Sequence, residues 1–166
     1  MCEIDIDQLS KSITKDSIIV CIGTDKCIGD CLGPLVGTLL EKRNFKLPVY
    51  GTLDDPIHAN NIYEKLNMIK NKRPNSQIIS IDACLGAEED IGKIKIRDQP
   101  IFPGKGVGKD IPGVGDLSII GTIDKSGSQE IFFVRSMRLS FIVNMAEQIV
   151  DIIEKATKDT DQSSPR

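Results

Sequence analysis

The sequence predicts an α/β protein, a three-layer sandwich in which a mixed sheet lies between helices. Three observations point to it. Short apolar runs rich in β-branched residues alternate with amphipathic helical segments through the first half. The second half turns to alternating, hairpin-like strands, and a long amphipathic segment closes the chain. A length of 166 residues with 40% hydrophobic content suits one domain with its own core.

Residues 1–15 are polar and weakly patterned and read as an N-terminal segment before a single domain at 16–158. "SIIVCIG" (17–23) is the first predicted strand, apolar enough for burial on both faces. "GPLVGTLLEKR" (33–43) follows as a helix, with Pro34 near its start and Leu35, Leu39 and Leu40 on one side. "LPVYGTL" (47–53) is the second strand. In 55–73, Asp55 has the chemistry of an N-cap, Pro56 that of a first helical residue, and Ile62, Leu66 and Ile69 recur at helical spacing. "SQIISID" (76–82) is the third buried strand, and "GKIKIRDQ" (92–99) alternates. A Gly/Pro-rich loop at 100–116 is too long for a simple connection and reads as functional or mobile. Strands are expected at 115–124 and 130–136, then a helix at 137–158 with Ser136 as its cap. The apolar stripe of that helix suits either the core or a homodimer. Residues 159–166, "DTDQSSPR", have the composition of a disordered tail.

Composition narrows the function. The net charge of −3, without a basic run, argues against a nucleic-acid partner. Neither a charged-then-apolar leader nor a membrane-length apolar run is present, so a cytoplasmic protein without a membrane partner is expected. Five cysteines, an odd number, two of them in strand-like runs, suit reduced thiols without a structural disulfide.

The strand, Gly-rich turn and helix of 18–40 have the outline of a phosphate-binding loop, but the residues do not fit one. A P-loop needs a lysine after its second glycine to neutralise phosphate, and here Asp30 follows Gly29. "GKGVGK" likewise puts Lys109 where a dinucleotide fingerprint has its third glycine. The acidic residues at strand ends are more telling. Asp30 lies in the turn after the first strand and Asp82 closes the third, at the sheet edge where α/β proteins place their sites. Two carboxyl groups in a partly desolvated cleft cannot both ionise freely, so one activates water while the other keeps a proton for a leaving amine. Each has an ordinary use as well: Asp30 as a cap of the following helix, Asp82 as the cap of a turn.

Other residues invite a role. His58 is the sole histidine and suits packing or a surface position as well as proton transfer. Asp25 and Asp54 are second-rank carboxylates, and Arg135 and Arg138 beside the last helix suit either solvated charge or a hold on a substrate carbonyl or carboxylate. Cys27, Cys31 and Cys84 lie close to the two acids in sequence, but no C-x-x-C spacing supports a structural zinc. Neither a metal nor a cofactor is expected.

Taken together, "IGTDKCIGDCLGPLVG", "GTLDDPIHA", "ISIDACLG" and "PGKGVGKDIPGVGD" resemble the YyaC-type sporulation proteins, a family similar to the spore germination protease and, more distantly, to hydrogenase maturation endopeptidases. The resemblance spans about residues 16–155. It implies a phosphorylase/hydrolase-like fold and cleavage of a peptide bond in a protein or peptide substrate, in the cytoplasm of a sporulating bacterial cell. It also implies that Asp30, in "DCLGP", and Asp82, in "DAC", form the catalytic acid pair, and that Gly104, Gly106 and Gly108 line the cleft. Asp25, Asp54, His58 and Arg135 are supporting candidates. No histidine follows Asp82, so the metal-reading role of the hydrogenase enzymes is not implied. Two rival readings stand beside this one: a non-catalytic peptide-binding or regulatory module on the same fold, and a metal-assisted amidase using Asp25, Asp30, Asp82 and His58.

Overall fold

A computed structural model describes residues 3–103, 111–127 and 137–162. Among them six strands form one mixed sheet: β1 (Glu3–Ile4), β2 (Ile18–Cys21), β3 (Val49–Tyr50), β4 (Ile78–Gly86), β5 (Ile94–Arg97) and β6 (Leu117–Lys125). The helices are α1 (Ile6–Ser12), α2 (Leu32–Lys42), α3 (Ile62–Lys72) and α4 (Leu139–Gln162). The strand order is β1-β5-β6-β4-β2-β3. Strands β3, β2, β4 and β6 run parallel, while β5 and β1 are antiparallel additions.

Strand β2 is buried on both faces, as are the first four residues of β4, which makes these strands continuous apolar runs. Alternate residues divide between two cores. On one face Ile19, Ile79, Ile81, Leu117 and Ile119 pack under α1, α2 and α4, whose stripe of Ile142, Met145, Ile149, Val150 and Ile153 is buried there. On the other, Ile18, Val20, Ile78 and Ile120 pack under Ile62 and Ile69 of α3 and under Ile57, Ile101, Ile111 and Val114. The result is the expected three-layer sandwich.

Several boundaries differ from the sequence reading. Residues 3–13 join the sheet and the helical layer: β1 pairs with β5, and an Asp5/Gln8 capping box starts α1, which buries Leu9 and Ile13. The strand expected at 47–53 shrinks to Val49–Tyr50, since Pro48 lacks an N–H and Gly51 turns the chain at φ +87°. Helix α3 begins at Ile62 rather than behind an Asp55 N-cap, because Ile57 continues as an extended bridge beside Ile22. Asp55 instead pairs with Lys65 at 2.5 Å. Within the long loop, Ile101 and Val114 bridge antiparallel, so its ends are tied to the apolar core. Helix α4 runs on to Gln162. The strand expected at 130–136, with Ser136 and Arg135, and the glycines Gly104, Gly106 and Gly108 lie outside the described residues.

Candidate active site

The site is built where β2 ends against the middle of β4; Asp82, expected to close its strand, lies within it, because β4 stays paired with β6 as far as Gly86. The Ile22 N–H donates to the Ile81 carbonyl at 2.8 Å, and the register sets Asp82 level with Ile22, one residue before Gly23. The chain then folds through a short 3₁₀ turn, Ile28–Asp30, that packs against β4 and α4. Gly23 makes that turn possible. Its φ is +142°, and a Cβ there would stand 2.1 Å from the Asp30 carbonyl oxygen. Only glycine lets Asp30 lie against the end of β2. The Thr24 N–H donates to the same carbonyl at 3.0 Å and closes the loop.

Helix α2 is drawn equally close. A Cβ on Gly33 would lie 2.1 Å from the Ile22 carbonyl oxygen, so the first turn of α2 rests directly on the strand end. This contact brings the positive end of the helix dipole to the Asp30 turn. Asp30 does not cap that helix: Cys31 holds the N-cap position, and no side chain bonds to the first turn. Asp82 makes one local bond, accepting the Ala83 N–H on Oδ1 at 2.8 Å. The capping use of Asp30 is thus absent, and that of Asp82 is confined to its neighbour.

Their electrostatics set the two carboxyl groups apart from ordinary surface acids. Burial pushes Asp30 up to about 7, against a smaller opposing pull from the Thr24 N–H. Asp82 is raised well above the usual carboxylate range, first by burial and then by the charge of Asp30, with the Ala83 N–H opposing. The charge of Asp30 thus reaches Asp82, which places the second carboxyl group in the electrostatic environment of the first.

The remaining candidates fall into different places. Asp25 is exposed on the same turn, near enough that its charge raises the Cys31 thiol. Asp54 is exposed in a bend after β3. His58 is on the other flank of β2, where the Gly23 N–H donates to the Ile57 carbonyl at 2.8 Å. Its Nδ1 accepts the Asn60 N–H at 3.2 Å, and its own N–H donates to Asn61 Oδ1 at 2.9 Å, so it serves a turn. Arg138 is exposed just before α4. Among the described residues no three His, Cys, Asp or Glu side chains gather closely enough to hold a metal ion, which removes the set of Asp25, Asp30, Asp82 and His58 as a metal centre.

No disulfide links the described cysteines Cys21, Cys27, Cys31 and Cys84. Cys21, Cys31 and Cys84 have thiols raised chiefly by burial and also by nearby carboxylates. Such thiols are held neutral, the opposite of what a cysteine nucleophile needs. The Asp82 face of the sheet also carries groups that the sequence reading did not single out: Thr122, whose Oγ1 lies 3.5 Å from Cys84 Sγ, and Lys95 and Arg97 of β5. The alternation of 94–97 was the one sequence signal for the last two.

The family model described as Protein of unknown function (DUF1256) matches residues 3–152. The chain belongs to this family. It is also 44% identical over 144 residues to the protein YyaC of Bacillus subtilis (strain 168), covering 86% of this chain and 70% of that one. Its fold is that of a [NiFe] hydrogenase maturation protease, HycI from Thermococcus kodakarensis KOD1. The crystal structure of HycI matches with a TM-score of 0.58 over 91% of this chain and 99% of HycI, at 19% identity. The family and the fold class expected from the four motifs are therefore both observed. Among the described residues of this DUF1256 protein, no helix is long and apolar enough to cross a membrane.

Proposed function

We propose that this DUF1256 protein is a peptidase in which Asp30 and Asp82 act as a pair sharing one proton. The observation that carries the reading is the upward displacement of two neighbouring carboxyl groups, Asp30 to about 7 and Asp82 well above the usual carboxylate range, in part through the charge of Asp30. Asp82, raised by burial and also by the charge of Asp30, keeps the proton near neutral pH. Asp30, ionised, takes a proton from water as the water attacks the scissile carbonyl. Asp82 gives its proton to the departing amine, and the positive end of α2 stabilises the oxyanion in between. The protease-like fold supports a peptide substrate, and the four-motif resemblance supports a role in the cytoplasm of a sporulating cell.

The test is cleavage of a denatured protein pool or a peptide library by purified protein. Asp30→Asn and Asp82→Asn are each expected to lower the rate by about 10²–10⁴-fold, the usual worth of a positioned acid or base. Full activity in both variants would end the reading. The proposal also predicts that a chelator leaves the rate within about twofold, since neither step requires a Lewis acid. Chelator-sensitive cleavage would contradict it.

A further inference from the structure

Strand β4 is paired along one edge and only half paired along the other. Toward β6 the pairing runs from Ile79 to Gly86, but toward β2 it stops at Ile81, whose carbonyl takes the Ile22 N–H. A strand between two parallel neighbours sends the N–H and C=O groups of successive residues alternately to one side and the other. Here the even-numbered residues serve β6: the Ile78 carbonyl accepts the Asp116 N–H at 2.8 Å, and the Gly86 carbonyl accepts the Ser126 N–H at 2.7 Å. The odd-numbered ones serve β2, since the carbonyls of Gln77 and Ile81 accept the Ile18 and Ile22 N–H groups, each at 2.8 Å. Ala83 and Leu85 therefore turn their backbone groups to the side that β2 has left.

The next bond of the β2 ladder would run from the Ala83 N–H to the Ile22 carbonyl. That carbonyl faces the first turn of α2 at Gly33 instead, and the Ala83 N–H donates to Asp82 Oδ1 at 2.8 Å. The Asp82 carboxyl group thus stands on the open edge itself, in the place a strand carbonyl would take. Beyond it, the Ala83 carbonyl and the N–H and carbonyl of Leu85 find no partner on that side among the described residues. The Asp30 turn packs against β4 but keeps its backbone bonds to itself: Asp30 to Cys27, Cys31 to Ile28 and Thr24 to Asp30. Burial changes at the same point, for residues 78–81 are buried and residues 82–86 are all partly exposed. The side chains of Ala83 and Leu85 pack against the α2/α4 core, which holds this stretch extended with one edge unused. Unused donors and acceptors on an extended strand are the surface to which another extended chain adds.

We propose that residues 83–86 form the substrate-binding edge of the cleft, along which an extended segment of the substrate lies as an added strand in the place vacated by β2. Such a strand carries its own peptide bonds past the Asp82 carboxyl group. The substrate class is a chain end or linker free to extend over about four residues, held through its backbone. That the occupant is a substrate rests on the peptidase reading of Asp30 and Asp82.

The probe is the fastest-cleaved peptide of a synthetic library, remade with one backbone amide at a time N-methylated, at positions two or more residues from the cleaved bond. An added strand bonds to the edge through every second residue. Methylation is therefore expected to slow cleavage by wild type about tenfold at alternate positions and less than about twofold between them. Amide hydrogen exchange, followed by NMR in Asp30→Asn, reads the edge directly, with that peptide or, where none is cleaved, with the whole library. The Leu85 N–H is expected to exchange about tenfold or more slowly when peptide is bound, while the Cys84 N–H, turned to β6, is unchanged. Cleavage with equal effects of methylation at successive positions, or with a Leu85 N–H that exchanges as fast with peptide as without, overturns the inference and leaves the peptidase reading standing. A Leu85 N–H slowed by the library in a protein that cleaves nothing ends the peptidase reading and keeps the edge as a peptide-binding site. Neither cleavage nor slowing ends both.

Discussion

Asp30 and Asp82 are displaced for the same first reason: burial where the Asp30 turn packs on β4 removes their water. That displacement has a sign in stability as well as in catalysis. Asp30 titrates near 7 in the fold against an ordinary value of 3.8, so the folded state holds a proton that the unfolded chain has released. Stability is therefore undiminished by this group below the ordinary value, falls as pH rises between 3.8 and about 7, and carries the full penalty above. Asp30→Asn removes the penalty. It is expected to stabilise the protein at pH 8 by about 1–3 kcal/mol while changing little at pH 4, a contrast measurable by urea denaturation at the two pH values. A variant less stable than wild type at pH 8 would place Asp30 in a favourable contact instead. For the rate, the same assignment predicts a bell: a rise as pH climbs through about 7 and Asp30 ionises, then a fall when Asp82 loses its proton.

At the scale of elements, the close approach of α2 to the sheet positions the site. Gly33 stands against the Ile22 carbonyl, and Gly37 against the Gly51 carbonyl, where a Cβ would again lie 2.1 Å away. Both neighbours are backbone and cannot step aside. Gly33→Ala and Gly37→Ala are each expected to cost about 1–3 kcal/mol by lifting α2, and Gly33→Ala should also disturb the Asp30 turn. Denaturation midpoints equal to wild type would show that α2 sits further from the sheet. Elements were legible in the sequence where local chemistry and tertiary use agree. The runs at 18–21 and 78–81 are apolar because both faces are covered, and Pro34 marks a real helix start. They were misread where the two disagree. Asp55-Pro56 has the chemistry of a helix start, yet the chain there stays extended because Ile57 bridges Ile22. A two-residue β1 and a seven-residue α1 are too short to give a periodic signal, although the Asp5–Gln8 spacing was a legible capping box.

At the scale of the whole molecule, the site depends on which strands are neighbours, and this is where sequence reading reaches its end. That Asp30 follows a buried strand could be read from an apolar run followed by an acid, whereas Asp82, read as the end of its strand, lies within it because β6 keeps β4 paired to Gly86. That Arg97 lies on the Asp82 face could not, because it follows from the β4-β6-β5 register, a property of the assembled sheet. The N-terminal residues show the same dependence on assembly. Leu9 is fully buried and Ile13 nearly so, in the core beneath α4. Deleting residues 1–13 is expected to remove about 3–6 kcal/mol of burial and to lower the melting temperature by roughly 10 °C or more. A truncated chain melting with the full-length protein would show that the segment contributes nothing to the fold.

The pairing of Asp30 with Asp82 is tested most directly by NMR titration of the side-chain carboxyl carbons in wild type and in Asp30→Asn. The expected result is an Asp30 midpoint near 7, an Asp82 midpoint well above the ordinary carboxylate range, and a fall in the Asp82 midpoint when the charge of Asp30 is removed. Midpoints for both residues in the ordinary carboxylate range, with Asp82 unmoved in the variant, would contradict the shared proton and the chemistry built on it.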